Sequence, residues 1–186
     1  MKAARWSMFL AGVAALAFPG ALPAELPQGA AAPDFTTQGA LAGKVFSYNL
    51  KAALRKGPVV LYFYPKSFTQ GCSIEARAFA QATTDFRAAG ASVIGLSADT
   101  IATQQDFSRK DCGDKFPVGV ATPAIIAAYD VHLKKPDGSQ TGLSSRTSYV
   151  IGRDGKVKLA YTQSNPNEHV ARTLAAVRAL NATRRH

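Results

Sequence analysis

Cys72 is the residue of this chain whose position could do chemistry. It follows an apolar run at 59–64 (VVLYFY) and opens a helical pattern, which puts it in the first turn of a helix beyond the end of a strand. Free N–H groups and the positive dipole end of a helix favour an anion, so a thiol placed there gives up its proton more easily. The expected chemistry is that of a nucleophilic thiolate. Thr69 sets a hydroxyl one turn before the sulfur, and the N–H groups of Gly71 and Cys72 add donors. Taken singly, such a cysteine is usually inert and such a threonine is an ordinary helix cap.

Other elements must hold this thiol in place. Residues 59–64 are β-branched and aromatic on both faces, as in a buried central strand, and Pro65 ends the run because it has no N–H for a ladder. Ile74, Ala78, Phe79, Ala82 and Phe86 predict the buried face of a helix that runs to about Ala89 and stops at Gly90. Before this unit, a short strand at 45–48 leads into a brief helix at 50–56, capped by Asn49 and ended by Gly57. After it come a strand at 92–96, a helix at 101–110 capped from Ser97 to Asp99, a short strand at 116–120 and a helix at 123–129. Residues 134–144 read as a polar loop. Strands at 147–151 and 157–162 bracket Asp154-Gly155, a strong hairpin signal. A closing helix starts at cap Asn165, with Pro166 in its first turn and Glu168 as the reciprocal partner of the cap. Strand–helix–strand units need parallel pairs and the hairpin an antiparallel one, so the expectation is an α/β domain with a mixed central sheet and helices on both faces.

Pro65, Thr69 and Cys72 spell P-x-x-x-T-x-x-C, and YFYPKSFTQGCSIEA resembles the active-site segment of the peroxiredoxins, most closely the peroxiredoxin Q (bacterioferritin comigratory protein) branch. Ala32-Pro33-Asp34-Phe35 resembles that family's start, so the likeness covers residues 32 to about 180 and implies a thioredoxin-like fold. It implies a thiol-dependent peroxidase that reduces hydrogen peroxide and organic hydroperoxides through a Cys72 sulfenic acid, with no bound cofactor. Arg146 matches the arginine of the R-x-T/S-F-x-I segment, and a planar guanidinium fork suits a thiolate and a peroxide better than a lysine. Glu75 matches a family glutamate that orients the arginine, Pro65 shields the pocket, and Tyr64 and Gly71 line it. Two residues depart from the branch: Gln70 replaces a proline, and Arg77 stands where many members carry the resolving cysteine. The likeness then gives that part to Cys112, since some relatives resolve from a cysteine in the helix that begins near Ile101, closing an intramolecular disulfide with Cys72. The alternative is a small apolar core residue in an enzyme that works with one cysteine. The implied partners are a peroxide and a thioredoxin-, glutaredoxin- or other thiol-type reductant, and the implied state is a monomer.

Composition bounds the rest. The chain has 186 residues, 47% of them hydrophobic, enough for one domain with a sizeable core. Two cysteines exclude a disulfide-rich scaffold, and His132, His169 and His186 share no spacing that would suit a metal. Lys2 and Arg5, the apolar stretch at 6–18 and the small residues up to Ala24 read as a signal peptide over 1–24. A linker at 25–32 and a domain at 33–186 follow. Export to the periplasm or beyond permits disulfides, and no stable membrane association is expected once the leader is cut. The net charge of +10 falls to +8 without Lys2 and Arg5, and the bases are scattered without interleaved aromatics, so nucleic acid is not an expected partner. A thiol–disulfide oxidoreductase would want a second cysteine where Glu75 stands. The remaining rival is a non-catalytic thioredoxin-like binding domain with Cys72 and Cys112 as a structural pair.

Overall fold

The computed structural model describes residues 25–182, and the expected leader at 1–24 lies outside the described residues. The chain runs β1 (Thr36–Leu41), β2 (Lys44–Asn49), α1 (Leu50–Leu54), β3 (Val59–Phe63), α2 (Gln70–Ala88), β4 (Ser92–Ser97), α3 (Ile101–Lys110) and β5 (Val118–Val120). It continues with α4 (Pro123–Ala128), β6 (His132–Lys134), β7 (Gln140–Ser144), β8 (Thr147–Ile151), β9 (Val157–Thr162), a 3-10 turn (Pro166–Glu168) and α5 (His169–Ala182). Seven strands form one sheet in the order β2-β1-β5-β4-β3-β8-β9. β3 pairs parallel with β4 and antiparallel with β8. The mixed α/β sheet expected from the order of elements is the one observed.

β3 shows why its sequence is apolar throughout. Val59, Leu61 and Phe63 enter a core shared with α1 and α4 through Leu50, Ile125 and Tyr129. Val60, Tyr62 and the following Tyr64 enter a second core with Phe79, Phe86, Phe107 and Val177 of α2, α3 and α5. Successive side chains of a strand point to opposite faces, so a strand covered on both sides must be apolar at every position. The strand thereby delivers the 64–69 loop and the start of α2 to a fixed place at the sheet's end.

Four expectations need correction. Residues 25–32 are not a free linker: Gly29 N–H donates to Val157 O at 2.8 Å, Ala32 N–H to Gly155 O at 2.8 Å, and Leu26 N–H to the Tyr149 hydroxyl at 3.1 Å. The acceptors are the first residue of β9, the turn before it and a β8 side chain, and the start of an edge strand attracts such a segment because its polar groups otherwise lack partners. Residues 134–144 are not a loop but largely the β6–β7 hairpin, a two-stranded sheet of its own. Its turn carries Asp137-Gly138 with Gly138 at φ +84°, the same signal that marks Asp154-Gly155. The buried face of α2 is Cys72, Glu75, Ala76, Phe79, Thr83 and Phe86, whereas Ile74 is 44% exposed. Glu168 does not reach back to the cap; it pairs with Arg172 and accepts from the Tyr161 hydroxyl, while Asn165 Oδ1 accepts from Asn167 N–H.

Candidate active site

Thr69 is the N-cap of α2 with an extended backbone, and its hydroxyl donates to Lys66 O at 2.9 Å rather than capping the helix. The helical ladder begins with Ser73 N–H to Thr69 O at 2.9 Å, so the amides of Gly71 and Cys72 lie ahead of it and face the helix's positive end. Cys72 is a free thiol, 2% exposed, packed with Tyr64, Ala76 and Phe79. Pro65 is half-buried at the turn out of the strand, and Thr69 is exposed at the mouth.

Arg146 enters from the residue before β8 and divides its fork three ways. Nη2 donates to Cys72 Sγ at 3.4 Å, Nη1 makes a short ion pair with Glu75 Oε2, and Nε donates to Ser164 O at 2.9 Å. Each of the three bonds fixes the guanidinium plane, so the cation is held against sulfur by geometry as well as by charge. Burial works against the arginine's charge, but Glu75 and Cys72 outweigh it and hold Arg146 above its ordinary pKa. Burial pushes Glu75 up to about 7, against the pull of Arg146. Cys72, Glu75, Arg146, Gly71 and Thr69 thus meet at one end of β3, drawn from α2 and from the segment entering β8.

Gly71 sits under the same guanidinium. A methyl group there would meet Arg146 Nη2 at 3.1 Å, closer than most side-chain contacts allow. We expect Gly71→Ala to push the fork by a few tenths of an ångström and to slow the reaction of Cys72 with hydrogen peroxide by about three- to tenfold, since small misplacements of a reacting group are costly. A rate equal to the parent's would show that the fork tolerates the shift.

Tyr64 does not line an open pocket. It is fully buried, stacks on Phe107 at 5.4 Å, and its hydroxyl donates to Gln104 Oε1 at 2.7 Å. Gln104 Nε2 donates in turn to Ser97 Oγ, which donates to Asp99 Oδ2, and that oxygen accepts from Ser67 N–H at 2.7 Å. This buried chain ties the 65–69 loop to β4 and α3. Asp99 is therefore used by the loop, and Thr100 caps α3 in its place. Sequence reasoning missed this network because Asp99 read as part of a helix cap and nothing local marks Gln104 as fully buried.

His169 was also missed as part of the site. Its ring is fully buried at the start of α5, with Nδ1 2.8 Å from Ser148 Oγ and 3.6 Å from Glu75 Oε1. Cys112 is fully buried beyond the end of α3, and its burial, reinforced by Asp111 and Asp114, pushes the thiol far above its ordinary range. Both cysteines belong to the core on the α2–α3–α5 side, and neither is in a disulfide.

Comparisons with known proteins bear on this geometry. A family model described as the AhpC/TSA family matches residues 28–160. The chain is 34% identical to the chloroplast peroxiredoxin Q of Arabidopsis thaliana over 179 residues, covering 93% of this chain and 77% of that protein. Among solved structures, peroxidoxin BcpB from Mycobacterium tuberculosis is similar with a TM-score of 0.72 at 28% identity, covering 82% of this chain and 97% of that one. A bacterioferritin comigratory protein from Xanthomonas campestris, whose structure is described in terms of alkyl peroxide reduction, has a TM-score of 0.68 at 30% identity, covering 77% and 90%.

Proposed function

The chain belongs to the AhpC/TSA family as a thiol-dependent peroxidase, and on that premise we propose that Cys72 is the peroxidatic residue and Cys112 the thiol that resolves it. The observation that carries this reading is the Arg146 guanidinium, bonded at once to Cys72 Sγ and Glu75. A fixed cation beside a thiolate also meets the negative charge that develops on the departing oxygen, which is where catalytic electrostatics act.

The steps follow from the residues. The Cys72 thiolate attacks one peroxide oxygen; an S–O bond forms, the O–O bond breaks, and the other oxygen leaves as alkoxide or hydroxide and takes a proton. Sulfur loses two electrons and becomes a sulfenic acid. Arg146 and the amides of Gly71 and Cys72 are the donors for the peroxide oxygens, and the Thr69 hydroxyl joins them by turning away from Lys66 O. Cys112 then displaces water from the sulfenic acid to give a disulfide, and two equivalents of an external thiol reduce it by exchange. The alkyl peroxide reduction described for the Xanthomonas campestris relative supports organic hydroperoxides as substrates beside hydrogen peroxide. The basic and apolar leader supports export, to the periplasm or beyond; a thioredoxin-, glutaredoxin- or other thiol-type reductant and a monomeric enzyme are what the peroxiredoxin Q likeness implies.

The test is intact mass after one equivalent of hydrogen peroxide. The parent is expected to lose two hydrogens, and Cys112→Ser to gain one oxygen, trapped at Cys72. Oxygen retained on Cys72 in both proteins would remove Cys112 from the cycle. An unchanged mass in both would instead favour a binding domain with unreactive cysteines.

A further inference from the structure

His169 is a buried titratable group that the steps above do not use, and its bonds fix its state. Its Nε2 lies 2.9 Å from Gln163 O. A carbonyl oxygen only accepts, so Nε2 carries a hydrogen and Nδ1 is the nitrogen left to gain or lose one. Nδ1 accepts from the Ser148 hydroxyl at 2.8 Å when it is bare. On its other side stands Glu75 Oε1 at 3.6 Å, an oxygen that is buried and has no hydrogen-bond partner. The second oxygen of that carboxylate is already committed to Arg146.

While both groups are bare, the Nδ1 lone pair takes the Ser148 hydroxyl and Glu75 Oε1 is a buried carboxylate oxygen without a donor, which is unfavourable; a single proton on either group relieves it, as a neutral acid or as an ion pair at 3.6 Å. With that proton present, Glu75 and His169 together carry no net charge, whether as acid and imidazole or as carboxylate and imidazolium. Arg146 is then left to face Cys72 with its charge undivided. Without the proton, Glu75 is a bare carboxylate that draws on the same guanidinium.

We propose that Glu75 and His169 share one proton between Oε1 and Nδ1, and that this proton sets how much of the Arg146 charge serves the Cys72 thiolate. His169 is thus a positioning residue for the peroxide reaction, acting through Glu75 and Arg146; the assignment rests on the peroxidase reading of the site. The groups around the pair are consistent with a proton that comes and goes near neutrality. Burial raises Glu75 to about 7, and burial together with Arg146 and Arg172 lowers His169, against the bond to Gln163 O and, less strongly, Glu168. Cys72 on α2 and Tyr62 on β3 complete the titratable groups on that side, with Tyr161 of β9 edge-on to the ring at 4.8 Å.

The experiment is the second-order rate of Cys72 with hydrogen peroxide from about pH 5.5 to 8.5, divided by the thiolate fraction read from its ultraviolet absorbance. In the parent the corrected rate should fall at least about fivefold as the pH rises through neutrality, the lower end of the usual coupling between linked sites. His169→Asn sets a non-titrating amide beside Oε1, whose N–H donates to that oxygen and holds Glu75 ionised across the range, so the corrected rate should become flat at the parent's high-pH level. A purely structural histidine would lower the rate at every pH and leave the shape alone, and that result overturns the proposal. So does a parent profile without the fall. If His169→Asn does not fold, nitrogen NMR of the unaltered protein decides. Nε2 should stay protonated throughout while the Nδ1 shift moves near neutrality, and an invariant Nδ1 refutes the shared proton. A parent in which Cys72 forms no sulfenic acid at any pH sinks the peroxidase reading itself, a result distinct from a flat profile.

Discussion

Arg146→Met is expected to slow the reaction of Cys72 with hydrogen peroxide by about 10²–10³, the scale on which a single preorganised electrostatic donor acts. Trp6, the one tryptophan, is far in sequence from Cys72 and lies outside the described residues, so the rate is better followed by competition against a haem peroxidase than by intrinsic fluorescence. Arg146→Lys should recover little of the loss. One ammonium cannot reach Cys72 Sγ, Glu75 Oε2 and Ser164 O together, as the guanidinium does. The single variants also strand the buried Glu75 carboxyl, and removing one partner of a buried pair costs about 3–5 kcal/mol. A slow variant could therefore be merely a loosened one. Glu75→Gln with Arg146→Met removes both charges and should restore much of the thermal stability while the rate stays down. If that double variant regained the parent's rate, Arg146 would be a structural residue and the chemistry would lie with the helix amides.

The parts of the fold legible in the sequence were those with a local cause. Asn49 caps α1 by accepting from Ala52 N–H at 2.7 Å, Gly90 adopts φ +72° after α2, and Asp154-Gly155 turns β8 into β9, each set by a few neighbouring residues. Composition by apolar letter failed on α2, because its core face includes Cys72, Glu75 and Thr83. A carboxylate at a core position is intelligible only beside Arg146, which arrives from a distant part of the chain. His169 was invisible for the same reason: its partners Ser148, Gln163 and Glu75 come from three elements. The β6–β7 hairpin was lost for another reason. Its two strands are exposed or half-buried except at Ser144 and form no face of either core, so no alternation of apolar residues marks them. Resemblance to a known family supplied Arg146 and Glu75 where pattern alone had no means of pairing them.

In the reduced enzyme, iodoacetamide should modify Cys72 about 10³ times faster than Cys112, as read by mass spectrometry of the separate peptides. Cys112 has no exposed surface and burial holds it as a neutral thiol, so it reacts only through local opening. An opening that costs about 4 kcal/mol slows it by that factor. The same opening is what a disulfide requires, because the two cysteines must come within about 7 Å at Cα with their side chains turned together. The structure shows what opposes it. Asp111, next to Cys112 and almost fully buried, accepts from the Ser73 hydroxyl at 3.0 Å and pairs with Arg77 at 2.6 Å, which ties the end of α3 to the first turns of α2. Arg77 is the position where many peroxiredoxin Q relatives carry their resolving cysteine. Here it helps hold together the two helix ends that a Cys72–Cys112 disulfide would have to part. Asp111→Ala should therefore raise the Cys112 alkylation rate at least about tenfold, the effect of 1.4 kcal/mol less opening cost. It should quicken disulfide formation after peroxide to the same degree and leave the first step at Cys72 unchanged. Faster alkylation with no faster disulfide would mean that opening is not what limits resolution. No change in either would mean that the Asp111 contacts do not hold these helix ends together.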